Sequence, residues 1–153
     1  MFNSLVILKL GNEKHKKAYK ALVTLGILKD LARYAPVLCG TFPLGIDIEG
    51  SDLDIIMNVK DFNEFEQKVH MLYGNLDSFK QNRLTIRDKA VSKANFLYDG
   101  FEFELFGKSQ PVERQYAYLH MVIENYILKD SPHLREEVIN LKNQGRSYEP
   151  PWI

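Results

Sequence analysis

The chain has a single cysteine, a single tryptophan and no excess of charge of either sign. Cys39 lies in an apolar run without a disulfide partner, which fits a reducing compartment and a buried, inert thiol. Lysine plus arginine equals aspartate plus glutamate at 20 each. A sequence-independent DNA binder carries a basic excess, so this balance argues against a strong nucleic-acid footprint while leaving room for a local basic pocket. No run of about eighteen apolar residues occurs, so no membrane span is expected. The opening MFNSLVILKL lacks a basic n-region and an A-x-A-like cleavage site, so no signal peptide and a cytoplasmic location are expected. Internal repeats and low-complexity segments are also missing.

What is present fits one globular domain over residues 1–153, with a core over about 10–145 and an irregular tail at 146–153. A domain of this size buries about 68–70% of its unfolded surface and needs no disulfide. Between 13 and 34, Ala18, Ala21, Leu22, Leu25, Ile27, Leu28 and Leu31 fall at helical spacing. Lys14, Lys16, Lys17 and Lys20 read as that helix's solvated face. Pro36 ends the helical region, 37–39 reads as a short buried strand, 40–51 as a loop and 53–59 as a second strand. Asp61 and Glu64 resemble a capping box before a helix whose buried stripe is Phe62, Phe65, Val69 and Leu72, closed by Gly74.

The clearest local signal is a hairpin. Residues 94–98 and 101–106 flank Asp99-Gly100, a pair suited to the positive φ angles of a type I′ turn. The register then sets Tyr98 opposite Phe101, Phe96 opposite Phe103 and Asn95 opposite Glu104. The aromatics share one face as core, and Glu102 and Glu104 share the other. Pro111 leads into a helix to about 128, with Tyr116, Leu119, Ile123 and Ile127 expected to face inward. Ser131-Pro132 opens a last helix that stops near Gly145. The whole predicts an α+β domain: a mixed sheet with flanking helices, including a β-hairpin followed by two helices.

One stretch, CGTFPLGIDIEGSDLDIIM at 39–57, carries chemistry. Asp52 and Asp54 are two apart at the start of a strand, so their carboxylates point the same way and repel. A hard divalent cation offsets that repulsion with carboxylate oxygens, and Mg²⁺ completes its shell with water and substrate phosphates. Gly40 and Thr41, at the turn from strand to loop, offer close backbone approach and a hydroxyl to an anion. Glu104 is the candidate third acid, while Glu102 reads as a solubilising sheet-edge residue. Asp47 and Glu49 read as the solvent side of an extended loop. His120 and Glu124 share a helix face at i, i+4; the histidine is either a packed residue or a hydrogen-bonding group near a ligand. His15, His70 and His133 show no zinc-ligand arrangement. Arg83, Arg87, Lys89 and Lys93 either solubilise a strand or neutralise phosphate charge.

Gly40-Thr41, ten intervening residues and Asp52-Leu53-Asp54 resemble the signature of the nucleotidyltransferase superfamily with the DNA polymerase beta-type fold. The longer string, with FEFELFGK and YLHMVIENYIL, looks like a functionally uncharacterised bacterial branch of it, over roughly residues 10–150. The resemblance implies transfer of a nucleoside monophosphate from a nucleoside triphosphate to an acceptor, using Mg²⁺, with Mn²⁺ as a substitute. It implies that Asp52, Asp54 and Glu104 hold the metal and do the catalysis. Gly40, Thr41, Ser51 and His120 would contact the nucleotide. Threonine stands where serine is commoner, and Glu104 where aspartate is frequent. The acceptor is left as a small molecule or a protein, and a homodimer is compatible with the short chain. Two other readings stay open on the same fold: a module that binds nucleotide or a protein partner without turnover, and a metal-dependent phosphohydrolase.

Overall fold

The structure is a computed structural model that describes residues 4–40, 43 and 52–144. Helices α1 (Ser4–Lys9), α2 (Glu13–Leu25) and α3 (Ile27–Asp30) precede strands β1 (Val37–Cys39) and β2 (Leu53–Asn58). Helix α4 (Phe62–Tyr73) leads to β3 (Asp77–Ile86), β4 (Lys89–Tyr98) and β5 (Phe101–Lys108). Helices α5 (Tyr116–Asp130) and α6 (Pro132–Asn143) follow. The five strands form one sheet in the order β1-β2-β5-β4-β3. Only β2 and β5 pair in parallel, so the sheet is mixed and the fold α+β, as expected.

The helices start and stop for local reasons. Asn12 caps α2 by accepting the His15 N–H at 2.8 Å. The helical periodicity through residue 34 is broken in two by Gly26, whose left-handed backbone (φ 74°) lets its N–H close on Leu22 and Val23. A short α3 and a 3₁₀ turn at Ala32–Tyr34 complete the segment. Asp61 caps α4 by accepting the Glu64 N–H at 3.1 Å. Gly74 closes α4 for want of space rather than handedness: a Cβ there would lie 2.4 Å from the His70 carbonyl oxygen.

The Asp99-Gly100 hairpin has the expected register, with both turn residues at positive φ (52° and 80°). Phe96 and Phe103 stack at 5.2 Å in the core beneath it, beside Tyr73. Strand β3 is unannounced by the sequence. It is an edge strand, mostly exposed, and has no apolar alternation to mark it. It joins β4 through Arg87-Asp88, at φ 51° and 63°, a turn made without glycine.

The sheet separates two cores. Helices α1 to α4 cover one face, burying Leu22, Phe65, Val69, Ile55, Phe96 and Phe103. Helices α5 and α6 cover part of the other face, over Cys39, Ile56 and Phe106. Here the inward positions expected on α5 need correcting. Tyr116, Leu119 and Ile123 are 54%, 41% and 42% exposed, and Tyr118, Met121 and Leu128 are buried instead. The helix is apolar on more than one side, so spacing alone does not choose the face that packs. Among the described residues, no helix is long and apolar enough to cross a membrane.

Candidate active site

The parallel pairing of β2 with β5 builds the site. It sets Leu53 opposite Phe103, Asp54 opposite Glu104 and Ile55 opposite Leu105. Leu53, Ile55, Phe103 and Leu105 are fully buried in the first core, so the alternate residues Asp54 and Glu104 must face the other side. Asp52 and Glu102, each two residues earlier, project to that same side. One carboxylate oxygen from each of Asp52, Glu102 and Glu104 lies within 4.8 Å of the other two.

Asp54 sits deepest. Its Oδ1 is buried with no hydrogen-bond partner. Burial, then the charge and hydrogen bond of Glu104 and the charge of Asp52, push its carboxyl up to about 7, against a lowering pull from Lys93. Asp52 is pushed up to about 6 by burial first and then by Glu104 and Glu102. From strand β4, Asn95 Nδ2 donates to Glu104 Oε1 at 3.1 Å, and Lys93 Nζ lies 3.8 Å from the same oxygen. Lys93 stands on β4, with β5 between it and β2, and its charge is still felt at Asp54.

Gly40 ends β1 beside Asp54. Its backbone is left-handed (φ 86°), and a Cβ on it would lie 2.8 Å from Asp54 Oδ2. A side chain here would displace the carboxylate, so the glycine answers both to handedness and to space. The donor set is all oxygen, crowded, mutually repelling and left with a buried atom lacking a donor. Those features fit a hard divalent cation such as Mg²⁺.

The structure thus brings Asp52, Asp54, Glu104 and Gly40 together. Thr41 and Ser51 lie outside the described residues, as do Asp47 and Glu49. His120 is not part of the carboxylate group; its ring stands edge-on to Tyr116 at 6.0 Å. Glu102, which is exposed as the solubilising reading expects, also stands in the carboxylate group, and the signal for that was its period-two relation to Glu104. Arg83 is taken up on the opposite face, bonded to Glu66 at 2.7 Å and Asn63 at 3.0 Å, so it is not placed to neutralise phosphate at the acids. A cleft of about 520 Å³ between α4 and β3, lined by Asn63, Glu66, His70 and Gln81 among others, is on that opposite face too.

Solved structures of RNA terminal uridylyl transferases and poly(U) polymerases superpose on this chain. The Cid1 poly(U) polymerase, an RNA terminal uridylyl transferase, superposes with a TM-score of 0.59 at 16% identity, over 86% of this chain and 41% of Cid1. Its H336N mutant bound to MgATP superposes with a TM-score of 0.62 at 17% identity, over 86% and 42% of the two chains. GLD-2, in the GLD-2/RNP-8 complex, matches with a TM-score of 0.59 at 13% identity, over 88% of this chain and 54% of the other. The fold is therefore that of the nucleotidyltransferases, and the chain spans about two-fifths to one-half of those relatives' length.

The chain belongs to the family described as Domain of unknown function (DUF4269), whose profile matches residues 20–152. No curated protein matches it. The match defines the family by its domain and not by source, so the bacterial branch stays an expectation.

Proposed function

We propose that the protein is a Mg²⁺-dependent nucleotidyltransferase that moves a nucleoside monophosphate from a nucleoside triphosphate to an acceptor hydroxyl. The observation that carries this reading is the grouping of Asp52, Glu102 and Glu104 on one sheet face, with Asp54 paired to Glu104 across the strands and one buried Asp54 oxygen left without a donor. Asp52, Asp54 and Glu104 would hold the metal, and Glu102, whose carboxylate lies within 4.8 Å of those of Asp52 and Glu104, would join them. When bound, the metal would offset the carboxylate charge and polarise phosphoryl oxygens.

The chain's own groups do the rest. Gly40 leaves the space beside Asp54 clear of side chain, and Thr41 and Ser51 would donate hydroxyls to the triphosphate. The acceptor hydroxyl oxygen forms a bond to the α-phosphorus while the bond from that phosphorus to the bridging oxygen breaks, and pyrophosphate leaves. The hydroxyl proton passes to a carboxylate oxygen of Glu104, which Asn95 and Lys93 hold in place.

The test uses ATP, GTP, CTP and UTP labelled at the α-phosphate, with Mg²⁺ and a mixed pool of hydroxyl acceptors. At least one nucleotide should release pyrophosphate and leave its label on a larger product. Asp54→Asn should slow that release by a factor of about 100 or more. Accumulation of free nucleoside monophosphate would make the protein a hydrolase, and tight nucleotide binding without release would make it a non-catalytic module. Either result overturns the proposal.

A further inference from the structure

Beyond Glu104, the carboxylate face of the sheet changes sign. Side chains two apart on β5 share a side, so Glu102, Glu104, Phe106 and Lys108 form one row. Lys108 lies opposite Val91 on β4, and Lys89, two residues before Val91, is on the same side. Arg87 stands in the turn before β4, and its guanidinium lies over the Tyr116 ring, 4.1 Å from the centroid.

These three cations crowd one another. Burial, then the charges of Lys89 and Arg87, hold the Lys108 ammonium below the usual lysine range. Among the described residues, none of the three forms an ion pair with a carboxylate. Arg33, Arg83 and Lys93, in contrast, each have a glutamate partner. What marks the cluster is proximity: Lys89 and Lys108 share one side of the β4–β5 pair, and the charges of Lys89 and Arg87 are both felt at Lys108. Tyr116 beside them is 54% exposed, which leaves ring surface open to a ligand.

We propose that Arg87, Lys89 and Lys108, with the Tyr116 ring, form a second anion site that binds a phosphate group of the acceptor. An arginine fork and two ammoniums suit the charge and oxygen count of a phosphate better than those of a single carboxylate. The exposed ring adds a stacking surface, the combination by which proteins hold short nucleotide segments. Lys108 is four residues from Glu104, roughly 13 Å along the strand. That backbone separation sets the cluster apart from the carboxylates, and the phosphate proposed there is one of a second molecule. Phosphate binding at the cluster stands independently of catalysis, whereas its assignment to the acceptor rests on the nucleotidyl-transfer reading.

The full chain is titrated against a fluorescent single-stranded hexauridylate by anisotropy, and against uridine monophosphate and inorganic phosphate as competitors. Wild type should bind the hexauridylate or uridine monophosphate. Combined Arg87→Gln, Lys89→Gln and Lys108→Gln should weaken that binding at least tenfold and flatten the slope against log salt by about 2. The single variants, exposed enough at Arg87 and Lys89 to leave folding intact, should each weaken it about threefold. Asp54→Asn should leave it within twofold, which separates this site from the metal site. Binding of the oligomer but not the monophosphate assigns a strand, and equal displacement by the monophosphate assigns a small phosphorylated acceptor. Displacement of the bound hexauridylate by a nucleoside triphosphate with Mg²⁺ would give the cluster to the triphosphate instead and overturn the assignment. No binding of any probe, or affinity within twofold of wild type in the folded single variants and the triple variant, overturns the proposal.

Discussion

Asp54 meets two opposed demands. Sheet pairing places its carboxylate beside Glu104, and burial with charge repulsion makes ionisation there unfavourable. An acid whose folded pKa is raised lowers stability as pH rises, because the unfolded chain releases that proton first. The metal-free protein should therefore be most stable below about pH 4 with respect to this group, and should lose that contribution as pH climbs to about 7. Thermal melts in EDTA across that range check the direction. Asp54→Asn should raise metal-free stability at pH 8 by about 1–2 kcal/mol, or a Tm gain of about 3–8 °C, while abolishing stabilisation by Mg²⁺. A gain in stability together with a loss of metal response separates an active-site acid from a structural one. Cys39, opposite Asp54 on β1, has its thiol pushed up to about 12 by burial and by that same charge. It should resist thiol reagents in the native state and react stoichiometrically in denaturant, as a labelling time course would show.

Among the elements, two glycines on opposite faces of the sheet allow a controlled comparison. A Cβ on Gly40 meets Asp54 Oδ2 at 2.8 Å, whereas one on Gly107 meets Val59 at 2.8 Å and Phe65 at 3.0 Å in the core. Gly40→Ala should weaken divalent-cation binding at least fivefold. Gly107→Ala should destabilise by about 1–3 kcal/mol and leave cation affinity nearly unchanged, measured by denaturant unfolding and calorimetry together. The elements also differ in how far the sequence reveals them. Asp99-Gly100 announces its hairpin because the turn chemistry is local and leaves few alternatives. Strand β3 is hidden because an exposed edge strand has no buried face to impose alternation, and its Arg87-Asp88 turn carries no glycine. The packing face of α5 is hidden for the opposite reason, since apolar residues stand on several sides of it.

For the molecule as a whole, the decisive contact joins residues far apart in the chain. Asp54 and Glu104 become neighbours only because β2 and β5 run parallel. Nothing local in either strand specifies the other as its partner. The Asp52-Leu53-Asp54 spacing shows two acids on one side, and the hairpin shows Glu104 sharing a side with Glu102. Their meeting was legible only through the family resemblance. The basic end of the same face was less legible still, because Lys89 and Lys108 come together through the β4–β5 register and Arg87 reaches Tyr116 across the turn. Zero net charge therefore conceals a face with acids at one end and bases at the other.

The most direct measurement is Mn²⁺ binding by electron paramagnetic resonance at pH 7.5, on wild type, Asp54→Asn and Glu104→Gln. Four carboxylates crowded on one face should take up Mn²⁺ in the wild type, and each substitution should weaken that uptake at least tenfold. Wild-type protein that binds no Mn²⁺, or variants that bind it as tightly as wild type does, would contradict the account.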